Sequence, residues 1–308
     1  MSTATLQAAT TATAGVAAAP PMPDIMPPVK ARSGILGFLW RNPTIAIGGL
    51  LVLLMLCIAV FAPWLWTKDP TALAPALRTR EPSATNWFGT DMLGRDVYSR
   101  VLYGTRVSLT VGFSVAICAS FLGLTIGLIS GFIRAADAVI MRIMDGMMSI
   151  PSILLAIALM ALTRGSVGNV VLAITIAEIP RVSRLVRGVV LSLREQPYVD
   201  AAVASGTRTP MIILRHILPN TLAPLMVQAT YICASAMITE AILSFIGAGT
   251  PPIIPSWGNI MAEGRALWQV KPYIVFFPAL FLSVTVLAVN LLGDGLRDAL
   301  DPRMAKRL

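Results

Sequence analysis

Asp200-Ala201-Ala202-Val203-Ala204-Ser205-Gly206, running on to Arg215-His216-Ile217-Leu218-Pro219-Asn220, is a polar island in an apolar chain. The chemistry it offers is recognition. Asp200 can cap a helix start, the small residues after it leave a thin helical face, and Gly206 supplies a C-terminal turn. Arg181, Arg184, Arg187, Arg194, Arg208 and Arg215 lie close by in sequence. A thin helix with an anionic start, between two apolar stretches, is shaped to lie in a groove on another protein. On composition alone a solvated loop with one helical turn competes with that reading, because small-residue helices are common.

Residues suited to bond-making chemistry are scarce. The chain has a single His and no His-Glu-x-x-His or Gly-x-Ser-x-Gly pattern, which argues against an enzyme. Lys never follows Gly, so no phosphate loop can be written, and neither a metal nor another cofactor is expected. Cys57, Cys118 and Cys233 fall inside apolar runs without metal or redox spacing and read as small core residues. Glu240 stands out because it lies within an apolar run, where an ionisable group is a candidate pathway residue. A structural hydrogen bond is weighed slightly ahead of a substrate contact there, and the partner cannot be named from sequence. Arg142 and Asp145, three apart, can pair on one helical face, and Glu178 can pair with one of the arginines that follow it.

These groups must be positioned by membrane-spanning helices. The 308 residues are 56% hydrophobic and 13% charged, with a mean hydropathy of +0.76, too apolar for a soluble domain. The net charge of +9 would raise nucleic-acid binding in a soluble protein. In a membrane protein it reads as basic inner loops, so no nucleic acid is expected and the lipid bilayer is the solvent. Apolar periodicity predicts an all-α, polytopic protein with six spans, at about 44–66, 108–133, 146–163, 167–179, 221–246 and 272–292. Residues 1–37 are Ala/Thr/Pro-rich and read as a disordered tail. Lys30, Arg32 and Arg41 before the first span, with Trp64 and Trp66 after it, place the N-terminus on the inner face. With six spans the 67–106 and 247–271 segments fall outside, and the 180–220 loop, both termini and the short 305–308 tail fall inside. More Lys and Arg are then inside than outside. Ala119, Gly123, Gly127 and Gly131, at four-residue intervals, predict a close helix contact in the second span.

The island, read as an acidic residue, Ala-Ala, three residues, Gly, nine residues and a segment ending in Leu-Pro, resembles the cytoplasmic coupling loop of ABC importer permeases. The family usually has Glu at the position of Asp200 and a branched apolar residue at that of His216. The dipeptide and oligopeptide branch is similar to this chain at the second position. Asn86-Trp87-Phe88-Gly89-Thr90-Asp91, Gly94-Arg95-Asp96, the Pro-rich 247–271 loop with Trp257-Gly258, and Gly293-Asp294-Gly295-Leu296-Arg297-Asp298 are also similar to C-type permeases of that branch. The likeness runs from about residue 38 to 304. It implies a type I importer fold with Asp200, Ala201, Ala202, Gly206, His216, Leu218 and Pro219 at the contact with the ATPase. It also implies a second permease subunit completing the pore, two ATPase subunits or domains, an extracytoplasmic substrate-binding protein, and the inner membrane of a bacterium. The branch includes permeases for dipeptides, longer peptides, glutathione and nickel. A secondary transporter is the reading from another class, and only Glu240 supports it.

Overall fold

The structure is a computed structural model and describes residues 42–300 together with Gly37, Leu39 and Trp40. The expected tails at 1–37 and 305–308 lie almost wholly outside the described residues. Among these residues the regular structure is helical, with one isolated bridge between Thr90 and Asp96.

Helix α1 (Pro43–Phe61) opens with Pro at its first turn, where the missing N–H leaves no bond unmade. A 3₁₀ turn at Ala62–Trp64 closes it, and Trp64 and Trp66 are left exposed as interface anchors would be. Helix α2 (Val97–Phe132) is one continuous rod of 36 residues, starting well before the expected span at about 108–133. Its true start is set by Asp96, whose Oδ2 accepts from the Ser99 backbone N–H at 2.9 Å and the Ser99 hydroxyl at 2.6 Å. Nothing between that cap and Phe132 breaks the helix. Its length of about 54 Å exceeds the hydrocarbon thickness of about 30 Å.

The third expected span, 146–163, is broken. Helix α3 (Arg134–Met148) and helix α4 (Ser152–Ala161) meet at 87°. Pro151 explains the break, because it donates no backbone hydrogen bond and pushes the preceding residue out of helical geometry. Helix α4, at about 15 Å, is too short to cross on its own. Helix α5 (Val167–Arg194) starts from Ser166, whose hydroxyl accepts from the Asn169 N–H at 3.1 Å, and continues through Pro180 to Arg194. Helices α6 (Pro197–Ala204) and α7 (Thr209–Ile212) follow. A π-turn over Ile213–Ile217 then leads into α8 (Leu218–Phe245). Helix α9 (Trp257–Gly264) and helix α10 (Tyr273–Leu300) complete the chain.

By length and apolarity, four helices among the described residues can cross a membrane: α1, α2, the α7–α8 run and α10. The bent α3–α4 pair would make a fifth. Helix α5 is long enough but carries Glu178, Arg181, Arg184, Arg187 and Arg194, which accounts for the difference from the expected six.

Packing follows the small residues. A Cβ on Gly123, Gly127 or Gly131 would stand 2.4, 2.6 or 2.7 Å from the Cβ of Val182, Val186 or Val190. The glycine row of α2 therefore receives a valine ridge of α5, the close approach predicted for that row. Helix α10 packs against α1 and α8, and α2 against α8. The 67–96 and 247–271 segments are folded onto this bundle. Phe88 stacks on Phe277 with ring centroids 3.8 Å apart, and the buried Trp257 indole donates to the Val101 carbonyl at 3.1 Å. Lys271 donates to Glu81 at 2.7 Å and holds that exposed carboxyl below its ordinary value.

A buried charge cluster locks this cap. Arg95 and Arg100 both reach Asp91 Oδ2, at 2.7 and 2.6 Å, and both bond to Glu263 on α9. The side chains of Asp91, Arg100 and Arg95 are 0%, 1% and 7% exposed, so Asp91 and Arg95 of the Gly-Thr-Asp and Gly-Arg-Asp pattern join Arg100 and the partly exposed Glu263 in a largely buried ion network.

Candidate coupling site

The island forms the short exposed helix expected of it, with a different start. Gln196 is the cap residue, Pro197 takes the first helical position, and Asp200 lies within the first turn. Asp200 therefore does not cap, but its charge still faces the positive end of the helix dipole. At the other end the Gly206 N–H bonds to the Val203 carbonyl at 2.9 Å and the Thr207 N–H to the Ala202 carbonyl at 3.0 Å. Gly206 has φ +73° and open space around it, so glycine is required there by the backbone alone.

Val199, 2% exposed, anchors α6 to the bundle, and the half-buried Ala202 packs on the same apolar core. Asp200, Ala201, Val203, Ala204 and Gly206 are exposed. His216 belongs to the π-turn and lies beside Tyr198, with ring centroids 6.2 Å apart. That contact brings the two halves of the island together. Leu218 and Pro219 open α8, so the Leu-Pro pair starts a helix. This agrees with the preference of Pro for the first turn.

Sequence reasoning missed Tyr198, Val203, Met211 and Leu214. These are exposed by 42%, 56%, 53% and 61%, and they give the island an apolar surface. Their signal was apolar residues recurring inside a polar stretch. Beside α6 a polar cleft of about 540 Å³ is lined by Arg134, Asp137, Arg194, Glu195 and Asp200 among others.

The arginines of α5 are committed. Arg181 lies 3.2 Å from the Glu178 carboxylate, Arg184 pairs with Asp145 at 2.5 Å, and Arg187 pairs with Asp137 at 2.5 Å. Asp145 thus pairs across with Arg184 of α5 and not with Arg142 of its own helix.

Glu240 is fully buried near the C-terminal end of α8. Ser244 donates to its Oε1 at 2.8 Å, and Ser108 of α2 lies 3.5 Å from its Oε2. The Thr250 backbone N–H donates to the Ser244 hydroxyl at 3.2 Å, the Thr250 hydroxyl donates to Ser256 at 3.3 Å, and the Asn259 amide donates to the Thr250 hydroxyl at 2.9 Å. The partners that sequence could not name are therefore hydroxyls of three segments. No cluster of metal-binding side chains occurs among the described residues.

Long apolar helices, an exposed short helix between α5 and α8, and a folded cap at the far end of α2 are the parts of a membrane-embedded subunit. A family model described as the binding-protein-dependent transport system inner membrane component matches residues 123–306, and the chain belongs to that family of ABC transporter permeases. It is 54% identical to a protein of Sinorhizobium fredii named "Probable peptide ABC transporter permease protein", over 87% of this chain and 91% of the relative. It is 43% identical to a dipeptide transport system permease protein of Alkalihalophilus pseudofirmus, over 86% of this chain and 87% of the relative. A glutathione transport system permease protein of Pectobacterium atrosepticum is 42% identical, over 87% and 89%. Among solved structures, an inward-facing MetNI methionine ABC transporter matches with TM-score 0.55 and 20% identity. That match covers 66% of this chain and 96% of the other, and it supports the shared fold.

Proposed function

We propose that this chain is one permease half of a bacterial inner-membrane ABC importer for dipeptides or oligopeptides. It pairs with a second permease, receives substrate from an extracytoplasmic binding protein, and is driven by two ATPase subunits that grip α6 and the start of α8. Both termini face the cytoplasm in this reading. The observation that carries it is the exposed helix Pro197–Ala204, seated by Val199 and leading through Gly206 into the next long span, in a chain of the permease family. Peptide import is favoured over glutathione or nickel by the names of the relatives at 54% and 43% identity.

The test is reconstitution in proteoliposomes. The chain alone should hydrolyse no ATP, whereas the full complex should take up radiolabelled dipeptide and hydrolyse ATP faster when loaded binding protein is added. Hydrolysis by the chain alone, or uptake of glutathione or nickel without peptide uptake, overturns the reading.

Glu240 is assigned a structural role in this scheme: its carboxylate accepts hydroxyls from α2 and α8 and ties α8 to the 250–259 segment through Ser244. Glu240→Gln keeps a carbonyl acceptor for Ser244. Transport by that variant should stay within about threefold of the unmodified complex. Glu240→Leu strands buried hydroxyls, at about 1–3 kcal/mol for each unsatisfied group, and should reduce the assembled yield. A Gln variant that assembles and hydrolyses ATP normally yet transports nothing would make Glu240 a pathway residue.

A further inference from the structure

We infer that Asp137, Asp145, Arg184 and Arg187 are positioning residues that carry displacement of α6 to the broken helix α3–α4, a reading that rests on the coupling role proposed for α6. Helix α3 has only one buried residue, Met144, so burial holds it weakly. Two ion pairs to α5 hold it instead. Arg187 engages Asp137 through both oxygens, Nε to Oδ1 at 2.5 Å and Nη2 to Oδ2 at 2.6 Å, and these side chains are 30% and 24% exposed. The Arg184–Asp145 pair is more than half exposed and contributes less. A planar guanidinium matched to both carboxylate oxygens fixes orientation as well as distance, so Arg187–Asp137 is the tighter tie.

The spacing of the ties also fixes how α3 lies. Asp137 and Asp145 are about 12 Å apart along α3, but their partners are only about 4.5 Å apart along α5. The two ties therefore converge from about two turns of α3 onto about one turn of α5. Arg187 stands two turns before Arg194, where α5 ends and Glu195–Gln196 lead into α6. At its other end α3 joins α4 through Ser149–Ile150–Pro151, where the 87° bend lies, and α4 packs on α5. Movement of α6 reaches the last turns of α5 first. The bidentate pair then passes it to α3, and the joint at Pro151 absorbs the change in angle. Val139 and Ile143, exposed by 63% and 56%, would be carried along.

The experiment uses the complete complex with Asp137→Asn, Arg187→Gln and the double swap Asp137→Arg with Arg187→Asp. Co-purified ATPase subunits, ATP hydrolysis, melting temperature and uptake of radiolabelled dipeptide are read in parallel. Each single variant should keep the ATPase subunits, basal hydrolysis and melting temperature but lose about tenfold in uptake, equal to about 1.4 kcal/mol. The double swap should recover most of that loss. Unchanged uptake in the single variants overturns the inference. So does loss of uptake together with melting temperature and bound ATPase subunits, which marks a pair that only holds the fold, or a swap without recovery. Failure of the coupling role itself shows elsewhere, as normal ATPase binding and coupling when α6 is obstructed.

Discussion

Complexes carrying Gly206→Val should lose their ATPase subunits on purification and lose substrate-stimulated hydrolysis. The cause is conformational, because φ +73° is a left-handed geometry that a β-branched residue occupies only with strain of about 1–3 kcal/mol. Relieving it unwinds the turn that aims α6. Ala201→Trp should act by a different route, since Ala201 is exposed and added bulk there meets the groove of the partner. Overpacking a fitted contact costs about 1–3 kcal/mol, roughly ten- to a hundredfold in docking. Ala202 is the wrong position for that test because it packs partly on the chain's own core, and Ala202→Trp would unseat α6 from within. Asp200→Glu, which keeps the charge in the first turn, should be nearly silent. Co-purification with a tagged permease measures all of these. Retention of both ATPase subunits and coupling in Gly206→Val and Ala201→Trp would remove α6 from the contact.

Arg100→Met should destabilise the cap by about 3–5 kcal/mol, the loss expected when one partner of a buried ion network is removed. Asp91 would keep Arg95, but Glu263 would lose the Arg100 bonds that tie it to α2. Arg100→Lys should recover only part of this, because an ammonium cannot bridge two carboxylates with the same fork. Melting temperature in detergent and protease cleavage within 67–96 report the effect. A Met variant with unchanged melting and cleavage would show that the network is dispensable.

The membrane class, the glycine row of α2 and the place of α6 were legible because each depends on residues close in sequence. Asp200 was misread as a cap because Pro197, three residues earlier, is a stronger start signal at the first helical position. Asp145 was given to Arg142 by helical spacing, whereas Arg184 approaches from a crossing helix that spacing cannot reveal. The hydroxyl partners of Glu240 and the fourfold ion network failed to show for the same reason: Ser108 and Glu240, or Arg100 and Glu263, meet only after α2, α8 and α9 have packed. The third span was overrun because apolarity continues across Pro151 while the backbone direction does not.

The overhang of α2 makes this helix a lever. About twenty residues suffice to cross the hydrocarbon, so several turns of a 36-residue rod stand clear of it. The ion network and Trp257 fasten the cap to those protruding turns. A bilayer of different thickness alters the tilt of a long span, and tilting this one would swing the cap sideways. Lipid composition would then reach the cap through a single rigid arm.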